Sequence, residues 1–171
     1  TMARVYFEVT GQKPLYAEQL YTFSGLDRDS RSRSIATAYI VIPKPVNTSL
    51  VIQNKDKYQV GSWKEMKKPG KMAYDHNQMV RIGFERIAGK LLYSTLGLLL
   101  LPEEFTLTEL QSLYEYCGGK NLDKRNFRKK LLSLDIIQET GKMKSGGKFR
   151  PAMLYKAKNL QMEIINFLVE Y

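Results

Sequence analysis

The chain has few of the residues that form disulfides, metal sites or membrane spans. Among its 171 residues there is one cysteine, Cys117, and one histidine, His76. A single cysteine excludes a disulfide within the chain, and one cysteine with one histidine is too few for a structural zinc site. The most apolar run, residues 91–101, is shorter than the ~18 residues that a membrane-spanning helix needs. No glycine-rich phosphate-binding motif is present, and the first residues lack the order of a secretion signal. These absences predict a cytoplasmic protein with no cofactor, no bound metal and no membrane contact.

The charge of the chain is concentrated in its C-terminal third. Lys and Arg number 27 against 17 Asp and Glu, which gives a formal net charge of +10. Residues 120–158 hold twelve basic and three acidic residues, so this segment carries +9 and the rest of the chain carries +1. Such a basic segment is typical of a nucleic-acid-binding surface, and less often of a surface that meets anionic lipid. A solvated charged face is the alternative that charge alone leaves open.

Strand patterns come first along the chain. Residues 15–23, 34–42, 49–53 and 58–63 are short segments rich in Tyr, Ile, Val and Thr, which favours strands. A helix is predicted after them, with Asp75 as its N-cap. Its apolar residues recur at helical spacing, at Val80, Phe84, Ile87 and Leu91.

The C-terminal third predicts two capped helices followed by a hairpin. Thr106 with Glu109 three residues later forms a capping-box pattern, and a glycine pair at 118–119 ends that helix. Asp123 can cap a second helix, and strands are predicted over 136–140 and 152–155. Helix, turn, basic helix and hairpin is the order of a winged helix.

A last amphipathic helix is predicted over residues 160–171. Its apolar stripe and the one on the helix after Asp75 together exceed what a chain of this size needs for its own core. One stripe is therefore expected to bury against a second subunit, which predicts a homodimer.

The second helix of the winged-helix pattern has an apolar side and a basic side. Phe127 and Leu131 lie on the first, whereas Arg125 and Arg128 lie on the second. A recognition helix needs both, because one side docks on its own domain and the other enters the major groove. Arginine can bond guanine edges and asparagine adenine edges, while lysine mostly meets phosphate. An ordinary surface helix with a hairpin is the alternative. The predicted DNA-binding residues are Lys124, Arg125, Asn126, Arg128, Lys129, Lys144, Lys148 and Arg150.

A loop over residues 27–33 interleaves three arginines with two aspartates. Arginines between strand ends can hold the phosphate or carboxylate of a ligand, so Arg28, Arg31 and Arg33 are the predicted ligand-binding residues. A self-neutralised surface loop is the alternative. His76 beside Asp75 has the chemistry of a general base, but capping already explains the aspartate, and no catalytic residue is assigned.

Two parts of the chain resemble Nudix-related transcriptional regulators. LDKRNFRKKL and GGKFRPAMLY, within residues 105–158, are similar to their C-terminal winged-helix domain. EQLYTFSGLDRDSRSR, AYDHNQMV and GKLLYS are similar to the later part of their Nudix-like domain. The resemblance implies an α+β fold in which a partial Nudix-like α/β/α domain precedes a winged helix-turn-helix domain. The implied ranges are 1–100 for an effector-sensing domain incomplete at its N-terminus, 101–158 for the winged helix and 159–171 for the last helix.

The resemblance also implies a function. Such proteins are cytoplasmic bacterial regulators, here expected to be a repressor, which bind double-stranded operator DNA as homodimers. An effector on the Nudix-like domain changes the spacing of the two winged helices. ADP-ribose and sugar metabolites are effectors in the family, and the sequence does not choose between them.

The chain departs from Nudix hydrolases in their metal-binding motif. That motif ends in Arg-Glu-apolar-any-Glu-Glu-any-Gly, and residues 4–11 are the matching stretch here. Arg4, Glu8 and Gly11 remain, whereas Val5 and Val9 stand where glutamates would bind magnesium. The chain is therefore expected not to be an enzyme. A Nudix hydrolase of a nucleoside diphosphate derivative, with the basic domain as an accessory, is the alternative.

Overall fold

Helices and strands are mixed along the chain in an α+β arrangement. The computed structural model describes residues 2–44, 64–145 and 151–167. The strand candidates at 49–53 and 58–63 lie outside the described residues, as do Lys148 and Arg150. The chain divides into two units, Thr1–Arg86 and Ile87–Tyr171.

Among its described residues, the first unit is built on a two-stranded antiparallel sheet. Its elements, with a helix that continues into the second unit, are α1 (Met2–Thr10), β1 (Tyr16–Phe23), a 3-10 turn (Leu26–Arg28), β2 (Ala36–Ile42) and α2 (His76–Leu91). The register places Tyr16 opposite Ile42 and Phe23 opposite Ala36, with one irregularity between β1 residues 19 and 21. Leu20, Phe23, Ile40 and Ile42 are buried. The strands predicted over 15–23 and 34–42 are confirmed.

Asp75 lies at the start of α2, as predicted, but its side chain is bonded to another part of the chain. The Asp75 carbonyl accepts hydrogen bonds from the amides of Gln78 and Met79. Its carboxylate instead receives two hydrogen bonds from Arg28. Asp75 therefore stands at the first turn of the helix, but its side chain ties that turn to the 27–33 loop.

The second unit has the element order of a winged helix. It contains α3 (Leu96–Leu99), α4 (Leu107–Gly118), α5 (Lys124–Ser133), β3 (Ile137–Lys144) and β4 (Ala152–Ala157). β3 and β4 pair antiparallel, and Phe105 bridges to Tyr155 on β4. The pattern predicts both long helices and the hairpin, although each strand extends beyond its predicted end. The short helix α3 was not predicted; all four of its residues are buried within the apolar run.

The two helix caps inferred for the C-terminal third, Thr106 and Asp123, are confirmed. The Thr106 hydroxyl accepts from the Glu109 amide at 3.2 Å, and the Glu109 carboxylate accepts from the Thr106 amide at 2.8 Å. The Asp123 carboxylate accepts from the Asn126 amide at 2.7 Å. Gly119 ends α4 with φ of 70°, which is the left-handed region that glycine adopts without a steric penalty.

Three aromatic rings form the centre of the second unit. Tyr114 on α4, Phe127 on α5 and Phe167 pack edge to face, with centroids 5.0–5.8 Å apart. Edge-to-face packing brings the positive ring edge to the negative ring face, which adds to the gain from burial. The aromatic cluster therefore fixes the inner side of α5.

The predicted helix over 160–171 is wrong for the residues that the structure describes. Residues 160–167 are not helical, and Ile164 bridges to Ser94. Thr95 donates its amide to the Glu163 carbonyl at 2.9 Å, and Ile165 donates to the Tyr93 carbonyl at 2.8 Å. The extended segment thus pairs backbone groups with Tyr93 and Thr95 and buries Phe167 completely. Residues 159–167 accordingly belong to the second unit and are not a separate helix.

In the parts of the chain that the structure describes, no helix is both long enough and apolar enough to cross a membrane.

Candidate nucleic-acid interface

The helix α5 presents a basic side opposite its buried side. Phe127 is 3% exposed and Leu131 is 1% exposed, whereas Arg125, Asn126 and Lys129 are exposed. With 3.6 residues per turn, Arg125 and Lys129 lie on the side of the helix away from the two buried residues. The sequence placed these residue types on opposite sides, and the structure has them there.

The cations on this outer side have no acidic partner in the described ranges. Lys124, Arg125 and Lys129 take part in none of the ion pairs found there. Their charges are therefore available to an anionic ligand. Lys130 is also exposed on α5 and was not among the predicted residues, although its place in the same basic run could have indicated it.

Arg128 lies in different surroundings. It is only partly exposed, and its Nη2 donates to the Thr108 hydroxyl on α4 at 3.2 Å. Its Nε is buried and makes no hydrogen bond. This arginine is held against α4 and does not project freely from α5.

The lysines of β3 are paired with acids that precede them in the chain. Lys144 Nζ lies 2.6 Å from Glu109 Oε1, and Lys142 Nζ lies 2.7 Å from Glu104 Oε1. Burial acts to raise the pKa of the Glu109 carboxyl, but hydrogen bonds from Lys144 and Thr106 lower it overall. Neither acid lies in the basic segment 120–158, so the charge of that segment did not indicate these ion pairs. Lys142 lies in β3 beyond the predicted strand end at residue 140, so the strand pattern did not indicate it.

The three arginines of the 27–33 loop do not share one environment. Arg28 donates to both Asp75 carboxylate oxygens at 3.0 and 3.1 Å and to the Ser34 hydroxyl at 2.6 Å. The Arg31 guanidinium donates twice to the Asp29 carboxylate and the Arg31 backbone amide donates once, which lowers the pKa of that carboxyl to about 2. Arg33 is exposed.

Arg31 has a second contact that the sequence did not indicate. Its guanidinium lies 5.1 Å from the centre of the Tyr74 ring, within the range of a cation–π contact. Arg28 and Arg31 thus have intramolecular partners, whereas Arg33 has none among the described residues.

The helix α1 carries the stretch that matches the Nudix motif. Arg4 pairs with Glu8 one turn later, and Val5 is 43% exposed. Apolar Val5 and Val9 have no oxygen to offer a hard cation. In the described residues, no group of three His, Cys, Asp or Glu side chains is arranged to hold a metal ion.

Known proteins resemble the chain along most of its length. A family model described as the NrtR DNA-binding winged helix domain matches residues 97–157. The ADPR responsive transcriptional repressor NtrR of Acinetobacter baylyi is 33% identical over 155 residues, which cover 90% of this chain and 60% of that protein. The chain thus spans about 60% of the length of this curated relative.

Solved structures also resemble the chain along most of its length. The crystal structure of Shewanella oneidensis NrtR complexed with a 27mer DNA matches with a TM-score of 0.74 and 31% identity, over 91% of this chain and 70% of that one. A MutT/nudix family protein from Enterococcus faecalis matches with a TM-score of 0.65 at 22% identity, which shows the fold alone. The resemblance seen in LDKRNFRKKL and GGKFRPAMLY is confirmed: the chain belongs to the NrtR family of Nudix-related transcriptional regulators.

Proposed function

We propose that this chain belongs to an effector-responsive bacterial transcriptional repressor that binds double-stranded operator DNA through its winged helix. The observation that carries the proposal is the outer side of α5, where Arg125 and Lys129 stand exposed opposite the buried Phe127 and Leu131. The NrtR relative solved with a 27mer DNA supports it. A regulator of this kind acts in the bacterial cytoplasm.

The proposed contact set keeps the predicted residues and divides them by surroundings, with Arg128 held against Thr108 of α4. Lys124, Arg125, Asn126 and Lys129 are exposed on α5 and can meet DNA as they stand. To contact DNA, Lys144 must break its ion pair with Glu109 and pair with a phosphate instead. Lys148 and Arg150 stay predictions from the sequence. Because phosphate contacts release condensed counterions, binding should weaken steeply as salt is raised.

The test compares charge reversals at two places. Fluorescence anisotropy with a labelled duplex should show a large loss of affinity for Lys129→Glu. Lys13→Glu changes the net charge equally but lies in the first unit, where Lys13 is exposed. It should bind almost as the wild type does. Equal losses in the two variants would mean that net charge alone attracts DNA, and the proposed interface would be wrong.

We propose further that the first unit senses a phosphate-bearing metabolite of the ADP-ribose type. The name of the Acinetobacter relative supports this ligand class, and exposed Arg33 supplies an unpaired cation for it. ADP-ribose should release the protein from its operator, and Arg33→Ala should weaken that response without changing DNA binding. A response to a neutral sugar in place of ADP-ribose would assign the protein to the sugar-responsive regulators.

We propose that the chain has no Nudix hydrolase activity. The support is the pair Val5 and Val9 on α1, at positions where glutamates would bind magnesium. Incubation with ADP-ribose and magnesium should give no hydrolysis above background. Turnover in the ordinary enzyme range, ~1–10³ per second, would favour the hydrolase alternative.

A further inference from the structure

The two arginines at the beginning of α5 are held in different ways. Arg125 is exposed and forms no ion pair among the described residues. Arg128 is half-buried, with its guanidinium on the Thr108 hydroxyl of α4. The sequence gives both arginines the same role, but the structure distinguishes them.

Helix geometry explains the difference. At 3.6 residues per turn, Arg125 lies about 140° around the helix from the midpoint of Phe127 and Leu131, whereas Arg128 lies about 80° away. Arg125 therefore points away from the domain. Arg128 lies on the flank that faces the first turn of α4, where Thr108 receives its hydrogen bond.

The donors that remain on each guanidinium determine what it can read. Recognition of guanine requires two N–H groups of one guanidinium to reach O6 and N7 together. On Arg128, Nη2 already donates to Thr108, and Nε is buried without a partner, so the edge that joins them is closed to a base. The other edge, Nη1 with Nη2, would have to share Nη2 with Thr108, which fixes its direction from α4. The remaining outer donors can still meet a phosphate oxygen. Lys144 pairs with Glu109, which lies next to Thr108 in the first turn of α4, so a second cation is close to Arg128.

We propose that Arg125 reads a base edge in the major groove, and that Arg128 is a backbone anchor which grips a phosphate from a fixed position on α4. This assignment rests on the proposed DNA-binding function. It makes Arg125 a specificity-determining residue, and Thr108 a positioning residue that acts through Arg128.

The experiment selects bound duplexes from a randomised library and reads the base preference at each position for four proteins. Wild type should enrich one motif. Arg125→Ala should lose the preference at one base pair, where affinity for the wild-type motif falls about 5- to 150-fold, with little change on scrambled DNA. Arg128→Ala should enrich the unchanged motif, bind every duplex more weakly by one common factor and lower the salt slope by about one. Thr108→Val should enrich the same motif with a smaller common loss.

The outcomes separate this inference from the function on which it rests. An altered base preference in Arg128→Ala, or an unaltered one in Arg125→Ala, would overturn the inference while DNA binding stands. If the wild type binds no duplex, both the inference and the proposed DNA-binding function are wrong. Thermal unfolding checks that each variant is folded. Because Arg128 is half-buried, Arg128→Lys serves as a second variant: it keeps the charge and should recover most of the common loss with the same motif, whereas a base-reading arginine would not be replaced by lysine.

Discussion

Glu109 is a residue with two opposing effects. Its carboxylate caps α4 by accepting from the Thr106 amide and hydroxyl, and it also holds the Lys144 ammonium. The cap stabilises the helix. On the proposed function, the ion pair would keep the Lys144 ammonium from DNA, and the carboxylate would repel phosphate.

Replacing Glu109 by Gln should therefore separate folding from binding. The amide oxygen can still accept from the Thr106 amide, so stability should fall only by ~0.2–1 kcal/mol, the size of an exposed ion pair. DNA affinity should rise by the same factor on operator and random duplexes, because Lys144 is freed to meet phosphate. Glu104→Gln frees Lys142 without touching the cap and is the matched control. Unchanged affinity in both variants would show that the β3 lysines do not reach DNA.

Asp29 provides a pH test of the 27–33 loop. Hydrogen bonds from Arg31 lower the pKa of the carboxyl from 3.8 to about 2. A group whose pKa is lower in the folded state stabilises the fold above its unfolded pKa, and the stabilisation is lost as pH falls through the folded pKa. The difference in unfolding free energy between wild type and Asp29→Asn should therefore shrink as pH falls from 3.8 to about 2. Urea unfolding across this range measures it; a constant difference would mean that the pair with Arg31 does not stabilise the loop.

At the scale of the element, local signals predicted structure well. The caps at Thr106 and Asp123 act within three residues, so the sequence alone fixes where α4 and α5 begin. The carboxylate of Asp75 could not be assigned in this way, because its partner Arg28 lies 47 positions away. The same limit applies to the acids that pair with β3, which are 35 and 38 positions from their lysines. Hydrogen bonds within one element could be predicted from the sequence, whereas hydrogen bonds and ion pairs between elements could not.

The segment 160–167 shows the same limit for a whole element. Its apolar spacing fits a helix, but its backbone partners are Tyr93 and Thr95, far away in sequence. These partners orient the segment so that Phe167 is fully buried while Ile164 is 80% exposed.

That contrast gives a prediction for the segment. Phe167→Ala should lower the unfolding free energy by ~3–5 kcal/mol, because it removes one ring of the aromatic cluster with Tyr114 and Phe127 and leaves a cavity. Ile164→Ala, in the same segment, should change it by no more than ~0.5 kcal/mol. Equal effects in chemical denaturation would show that the segment does not pack as described.

For the whole molecule, most of the net basic charge lies in residues 120–158, the segment that contains α5 and the hairpin of the winged helix. A formal net charge of +10 would attract DNA even without a fold, but it could not select a sequence. Selectivity requires α5 to be held rigidly, and Phe127 and Leu131 hold it from the inside. On the proposed function, attraction to DNA thus depends on the exposed cations, whereas selection of a sequence depends also on the buried residues that hold α5.

Assembly provides the last prediction. One α5 helix reads only a few base pairs, so a regulator that finds one operator gains selectivity by presenting two such helices related by a two-fold axis. We therefore expect an isologous homodimer, although one of the two apolar stripes that suggested it, at 160–167, is not a helix. Sedimentation should show a dimer, and titration should give two chains per palindromic duplex, with half-sites about one helical turn, ~10 bp, apart. Moving the half-sites apart by half a turn should abolish the tight complex, because the second helix would then face the wrong side of the DNA. A monomer that binds the half-site as tightly as the palindrome would contradict this arrangement.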